Sequence, residues 1–139
     1  MNFVPVEAVW NEGAITLTHP EFELTFSETF EHIEERRTND LILGIRPEDV
    51  GVVDDPGPNT TDVDVEVVEP LGKEQLFYYE LDGKRFTASI EGHKQITVGQ
   101  TVTLRIPEEN AYLFDNRNGE TIKHQVLPED PESTSEVFQ

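Results

Sequence analysis

The stretch Leu41-Ile42-Leu43-Gly44-Ile45-Arg46-Pro47-Glu48-Asp49-Val50 divides the chain. Leu41 to Ile45 is an apolar run that reads as a buried strand, and Arg46-Pro47-Glu48 stops it. Pro47 has no amide hydrogen and biases Arg46 away from helical backbone, so a strand ends here and cannot continue as the centre of a ladder. Residues 1–53 therefore read as one small β-rich subdomain, and the chain turns at Pro47 toward a second unit.

Upstream of this joint, Val4, Val6 and Ala8 alternate with Phe3, Pro5 and Glu7 in a strand running to Trp10, and Asn11-Glu12-Gly13 turns into a second strand carrying Ile15 and Leu17. His19-Pro20 breaks that hairpin, and Phe22, Leu24 and Phe26 alternate with polar residues as a third strand. Ser27 is an N-cap candidate, with Glu28 and Glu31 near the positive end of a short helix and Arg36 and Arg37 near the negative one. The pattern predicts that helix over about 28–37.

Downstream, Asp54-Asp55-Pro56-Gly57-Pro58-Asn59-Thr60 is a loop by composition, and residues 54–61 are taken as the linker. Val63, Val65 and Val67 alternate with acids, Pro70 and Gly72 mark a bend, and residues 75–81 form a strand that Asp82-Gly83 returns as a hairpin. Phe86, Ala88 and Ile90 point inward on the return strand, as do Val102, Leu104 and Ile106 on a later one closed by Pro107. Ala111–Asp115 reads as a last core strand, Asn116–Gly119 as a turn, and 120–126 as a terminal strand. Short, closely spaced, bent strands without a long helix describe a small Greek-key barrel over 62–126, of the oligonucleotide/oligosaccharide-binding (OB) type. The fold class is all-β, mainly strand with one short helix. Residues 127–139 have no periodicity and are expected to form a disordered acidic tail.

Asp and Glu number 29 against 10 Lys and Arg, a formal net charge of −19. The four lysines are scattered at Lys73, Lys84, Lys94 and Lys123, so nothing gathers the positive charge that a phosphate backbone or anionic lipid requires. Two readings of the acidity stand: an acidic partner-binding surface, or adaptation to a salt-rich cytoplasm, where a screening length of ~3 Å at molar salt silences self-repulsion. The spread of acids along the whole chain favours the second. There is no cysteine, which excludes disulfides, thiolate metal sites and cysteine nucleophiles. No run approaches the ~20 apolar residues of a membrane span, and no basic-then-apolar leader opens the sequence.

No Gly-x-x-x-x-Gly-Lys-Ser/Thr loop is present: Gly72-Lys73-Glu74 and Gly83-Lys84-Arg85 lack its leading glycine and its hydroxyl. His19, His32, His93 and His124 share no ligand spacing and read as surface histidines. Carboxylate pairs abound, but in so acidic a chain their spacing carries no information. Phe77, Tyr78, Tyr79 and Phe86 fall where OB folds place stacking residues, and without basic neighbours they read mostly as core. No catalytic, cofactor-binding or metal-ligating residue is assigned.

Four motifs in order resemble one family: Met1-Asn2-Phe3; Leu43-Gly44-Ile45-Arg46-Pro47-Glu48; Val67-Val68-Glu69-Pro70-Leu71-Gly72 with Glu74; and Val98-Gly99 followed by Pro107-Glu108 and Tyr112-Leu113-Phe114-Asp115 with Gly119. Together they resemble the C-terminal regulatory region, the transport-associated OB (TOBE) domain, of the ATP-binding subunits of sugar-importing ABC transporters (maltose, multiple sugars, glycerol phosphate). The resemblance implies a non-catalytic module that follows an ATPase domain and pairs with its copy across the subunit dimer. It also implies ATP and magnesium bound elsewhere in a longer parent, membrane permease subunits as partners, a possible regulatory protein, and a place at the cytoplasmic face of the membrane. Met-Asn-Phe sits, in that family, just after the linkage to the ATPase domain, so the chain is expected to be a separated C-terminal domain. Arg46, Glu48, Glu69 and Asp115 are the interface candidates, with strand-end hydrogen bonding as their alternative role. The chain departs from the family at Asp49 and Tyr112, where histidine is common, and at Lys73 after Gly72. Two other functions stay open: a small-ligand module binding an oxyanion, and an independent oligonucleotide-binding protein.

Overall fold

The computed structural model describes residues 1–11, 14–27 and 38–123. The predicted helix over 28–37 and the predicted tail over 127–139 lie outside the described residues.

Twelve strands carry the described chain: β1 (Asn2–Asn11), β2 (Ala14–His19), β3 (Phe22–Phe26), β4 (Asp40–Ile45), β5 (Gly51–Val53), β6 (Thr60–Asp64), β7 (Val67–Pro70), β8 (Glu74–Leu81), β9 (Lys84–Glu91), β10 (Thr101–Arg105), β11 (Tyr112–Asp115) and β12 (Thr121–Lys123). Single 3-10 turns at Pro47–Asp49 and Glu108–Asn110 follow β4 and β10. The alternation read from the sequence sets the faces: Val4, Val6, Ala8, Ile15, Leu17, Phe22, Leu24 and Phe26 are all buried. The joint ends as expected. The Asp49 amide donates to the Arg46 carbonyl at 2.9 Å, closing the turn that Pro47 begins.

The strands form a six-stranded sheet in the order β12-β11-β4-β1-β2-β3, and two three-stranded sheets, β5-β10-β6 and β7-β8-β9. One apolar core runs through all three, from Val4 and Leu43 to Phe77, Phe86 and Leu104. β11 and β12, read from the sequence as the end of the 62–126 barrel, pair instead into the first sheet. Leu113 sits opposite Leu43, and Tyr112 opposite Gly44. The physical reason is the open edge of β4. With Leu43 fully buried and β1 on one side only, the other edge needs a partner, and the last apolar strand supplies it. The loop at 54–61 thus does not separate one hydrogen-bonded sheet from another.

The bend expected at Pro70 and Gly72 is the turn from β7 into β8, where the Leu71 amide donates to the Glu74 carbonyl at 2.8 Å and Gly72 has φ 88, and the chain bends once more ahead of β7. The Val65 amide donates to Gln100 beside β10, and the Glu66 amide to Tyr78 on β8, so the chain changes sheets between these two residues. Pro70 is then free to sit on β7, an edge strand whose ladder tolerates a missing donor. At the next hairpin, Asp82 (φ 51) and Gly83 (φ 80) both take the left-handed conformation that a tight two-residue turn requires. His19, read as a surface histidine, is instead buried. Its ring stacks on Phe22 at 4.4 Å, and its Nδ1 accepts the Glu21 amide at 3.1 Å. Burial lowers its pKa, with Asp82 and Glu21 opposing.

Two edges are closed by asparagine side chains acting as one-residue strands. On β9, the Asn2 carboxamide donates to the Thr87 carbonyl at 2.8 Å and accepts the Thr87 amide at 3.2 Å. On β3, Asn59 accepts from the Thr25 amide at 2.9 Å and donates to its carbonyl at 3.1 Å. Asn2 thereby ties the first sheet to the third. Asn2→Ala strands the donor and acceptor of Thr87 and is expected to cost about 1–3 kcal/mol in urea denaturation at molar salt. An unchanged midpoint would mean that the clasp is open in solution.

Candidate functional site

The four residues singled out from the sequence lie at three separate places. Arg46 precedes the turn at the end of β4 and Glu48 lies within it, both exposed. Arg46 donates from Nη2 to the Tyr112 hydroxyl at 3.1 Å, with its guanidinium 5.7 Å from the ring centre. Next to Glu48, Asp49 has a buried Oδ2 without a hydrogen-bond partner among the described residues. Burial and then the Glu48 charge push its carboxyl pKa up, against Arg46. Asp115 lies at the other end of the same sheet, paired with Leu41.

Asp115 is a turn-building residue. Its Oδ1 accepts the Arg117 amide at 2.9 Å and Nε at 3.0 Å, its Oδ2 accepts Nη2 at 2.7 Å, and its carbonyl accepts the Gly119 amide at 2.7 Å. These bonds, those from the Arg117 side chain first, hold its pKa down to about 2. A depressed folded-state pKa means stability present above the unfolded value near 4 and lost as pH falls through about 2. The stability difference between wild type and Asp115→Asn is expected to be full above pH 4 and to close between pH 4 and 2. A difference independent of pH would contradict the ion pair. Glu69 is on the third sheet, where it accepts the Tyr78 hydroxyl at 2.9 Å, and Arg85 packs over that ring at 5.7 Å.

What the structure does assemble is an aromatic surface on the outer face of the six-stranded sheet. Phe3 and Tyr112 flank Gly44 in register, and Pro5 and Phe114 flank Ile42. The Tyr112 and Phe114 rings stack with centroids 6.0 Å apart, and Phe3 tilts against Phe114 at 6.0 Å. A Cβ on Gly44 would lie 2.9 Å from Met1 Sδ and 3.0 Å from Phe114 Cε2, so the absent side chain lets these groups cover β4. Phe3 is 54% exposed and Met1 46%. Single exposed apolar residues are ordinary, but a contiguous aromatic group on a solvent face is not. The sequence held the signal: the alternation that sends Val4 and Val6 inward sends Phe3 and Pro5 outward.

Among the described residues no group of three His, Asp or Glu is placed to hold a metal ion, and no helix is long and apolar enough to cross a membrane.

The TOBE domain family matches residues 43–114, from the buried strand at the joint through the aromatic strand β11. The chain belongs to that family. Its relatives include the xylose/arabinose import ATP-binding protein XacK of Haloferax volcanii, 39% identical over 93 residues, covering 63% of this chain and 24% of XacK. The oligosaccharides import ATP-binding protein MsmX of Bacillus subtilis is 28% identical over 108 residues, 75% of this chain and 28% of MsmX. The sn-glycerol-3-phosphate import ATP-binding protein UgpC of Chromohalobacter salexigens is 34% identical over 79 residues, 54% of this chain and 21% of UgpC. The TOBE chain thus spans about a quarter of the length of these curated relatives. Among solved structures, the cytoplasmic molybdate-binding protein ModG matches with a TM-score of 0.64 over 81% of this chain and 94% of that one, at 12% identity. That likeness is one of fold, and the OB-like architecture expected from the strand pattern is the architecture found.

Proposed function

We propose that this TOBE domain is the non-catalytic regulatory and dimerising module of an ABC importer ATP-binding subunit that serves a sugar or a related solute. The observation that carries the reading is the TOBE match over residues 43–114 together with relatives named as sugar and glycerol-phosphate import ATP-binding proteins. On this reading ATP and magnesium bind in an ATPase domain outside the chain, and no cofactor binds within it. Its partners are a second copy of the subunit, permease subunits reached through the parent protein, and a regulatory protein. Its place is the cytoplasmic face of the membrane. A contact that persists while the ATPase halves open and close keeps them at high effective concentration.

An antibody against this chain, applied to detergent-solubilised source membranes, is expected to retain peptides of an ATP-binding domain and of a membrane permease. Retention of the chain alone would overturn the assignment.

ModG was solved with molybdate bound, which makes an oxyanion the natural second ligand class to test. The groove that brings two lysines together, about 420 Å³ in volume, sets Lys73 and Lys94 beside Glu74, Ser89 and Glu91. Two ammonium groups faced by two carboxylates give an anion no net attraction. Calorimetric titration with molybdate is expected to give no saturable heat, and a saturable heat would move the ligand reading forward.

The acidity belongs to the same proposal as adaptation to molar salt. Asp62 and Asp64 accept hydrogen bonds from the Thr103 and Thr101 hydroxyls at 2.7 Å on an outer sheet face, while the apolar core behind them is complete.

A further inference from the structure

We propose that the Pro47–Asp49 turn is a proton-operated joint: a proton on the Asp49 carboxyl tightens the turn against β9, and its loss at higher pH loosens it. The turn sits where the three sheets meet. It follows β4 of the six-stranded sheet, leads through buried Val50 into β5 of the second, and packs against β9 of the third. Beside it, Asn2 pairs with Ile45 at the end of β4 and clasps Thr87 in the middle of β9, so turn and clasp together hold the first sheet to the third.

Asp49 is the exception among the buried polar groups. The Asn2 carboxamide bonds to Thr87, Gln75 Nε2 donates to the carbonyls of Glu91 and Lys94, Asp115 accepts from Arg117, and Lys123 donates to the Ala111 carbonyl. Asp49 Oδ2 is enclosed as well, and it alone among the buried side-chain nitrogen and oxygen atoms of the described residues has no hydrogen-bond partner. An enclosed carboxylate oxygen without a donor costs more than a neutral carboxyl in the same place.

The charges around it do not make up for the missing donor. Arg46 attracts the carboxylate, but its guanidinium is bonded to the Tyr112 hydroxyl and does not reach Oδ2. Glu48 repels it. Across the contact, β9 brings Lys84 and Arg85 at one end and Glu91 at the other, while its middle, Phe86 to Ile90, carries no charge. Beyond Val50, Lys73 and Lys94 line the groove with Glu74 and Glu91, two cations faced by two anions. The neutral carboxyl is the form this setting accommodates.

Burial first, and then Glu48, raises the Asp49 pKa above its ordinary 3.8. The folded chain therefore holds this proton more tightly than the unfolded chain does. The stability it brings is complete below 3.8 and is lost as pH rises through the raised value. Asp115 has the opposite sign, its contribution being lost as pH falls toward about 2.

The test compares the 139-residue chain with Asp49→Asn, a neutral carboxamide of the same size, in molar potassium chloride, so that titration of the other acidic residues is common to both. Urea midpoints are read between about pH 4 and pH 7, and hydrogen exchange of the Thr87 and Asp49 amides is followed by NMR and corrected for the intrinsic rate. The wild-type midpoint is expected to fall relative to that of Asp49→Asn as pH rises, and the protection of both amides to drop in wild type but not in the variant. If Asp49→Asn does not fold, the carbon-13 shift of the Asp49 carboxyl in wild type decides. A titration midpoint above 3.8 accompanied by loss of Thr87 protection would support the joint, and one at or below 3.8 would overturn it. A stability difference that is the same at every pH, or amide protection that follows pH alike in both chains, would overturn it too.

Discussion

In dilute buffer the far-ultraviolet circular dichroism of this chain is expected to be that of a largely unfolded polypeptide, and molar potassium chloride is expected to restore its β spectrum. The cause is the ratio of 29 acidic to 10 basic side chains. Even if every cation were paired, most carboxylates would have no opposite charge, and the arginine ion pairs found among the described residues, Arg85–Glu66 and Arg117–Asp115, lie at or near the surface. At 0.1 M salt the screening length of about 10 Å spans neighbouring strands, so carboxylates on one face repel across the sheet; at 1 M it falls to about 3 Å. Among the described residues the buried apolar side chains form one core cluster, whose contacts involve no charged group. On the salt-adapted reading, the requirement for salt is expected to sit in long-range charge alone. A melting temperature that does not move between dilute buffer and molar salt would refute the salt-adapted reading and return the acidic partner surface to consideration.

Replacing Leu43 by Ala is expected to cost about 2–5 kcal/mol, measured by urea denaturation in molar salt. Leu43 is fully buried on β4, the strand that joins the N-terminal hairpin to the last strands of the sheet, with Val4 on one side and Leu113 on the other. Its removal leaves a cavity at the point where these meet, and the two neighbouring strands are fixed by their ladders and cannot collapse far into it. Val98→Ala, at an exposed site, should stay within about 0.5 kcal/mol. A small cost at Leu43 would mean that β4 is not the centre of the core.

Much of this fold was legible in the sequence because its strands alternate. Val4, Val6 and Ala8, or Phe86 and Ala88, announce their faces by period two, and Asp82-Gly83 announces its turn by the backbone it must adopt. Pairing between distant strands was not legible. Nothing local in Tyr112-Leu113-Phe114-Asp115 says that its partner is Leu41–Gly44 rather than a barrel neighbour, since that choice is made by the open edge of β4. β5 is three half-buried residues without alternation, which leaves no pattern to read. His19 misled because a histidine beside a proline reads as a turn, and only its stacking on Phe22 shows that it is enclosed.

The site was legible in part. Arg46 and Tyr112 both stood in the motifs that carry the family resemblance, but the contact between them spans 66 residues of sequence. Asp115 bonds within a turn and Glu69 across a strand pair, each within its own hairpin. The outward Phe3 was overlooked: the alternation that buries Val4 and Val6 already places this large aromatic on the solvent face.

The measurement that bears most directly on the central claim is the size of the native product in its source cells, by immunoblot with an antibody against this chain. A regulatory module of an ABC importer subunit is expected to appear as a band several-fold larger than 15.8 kDa that sediments with the membrane fraction. A band at 15.8 kDa in the soluble fraction would contradict the account and leave a free-standing OB-type protein in its place.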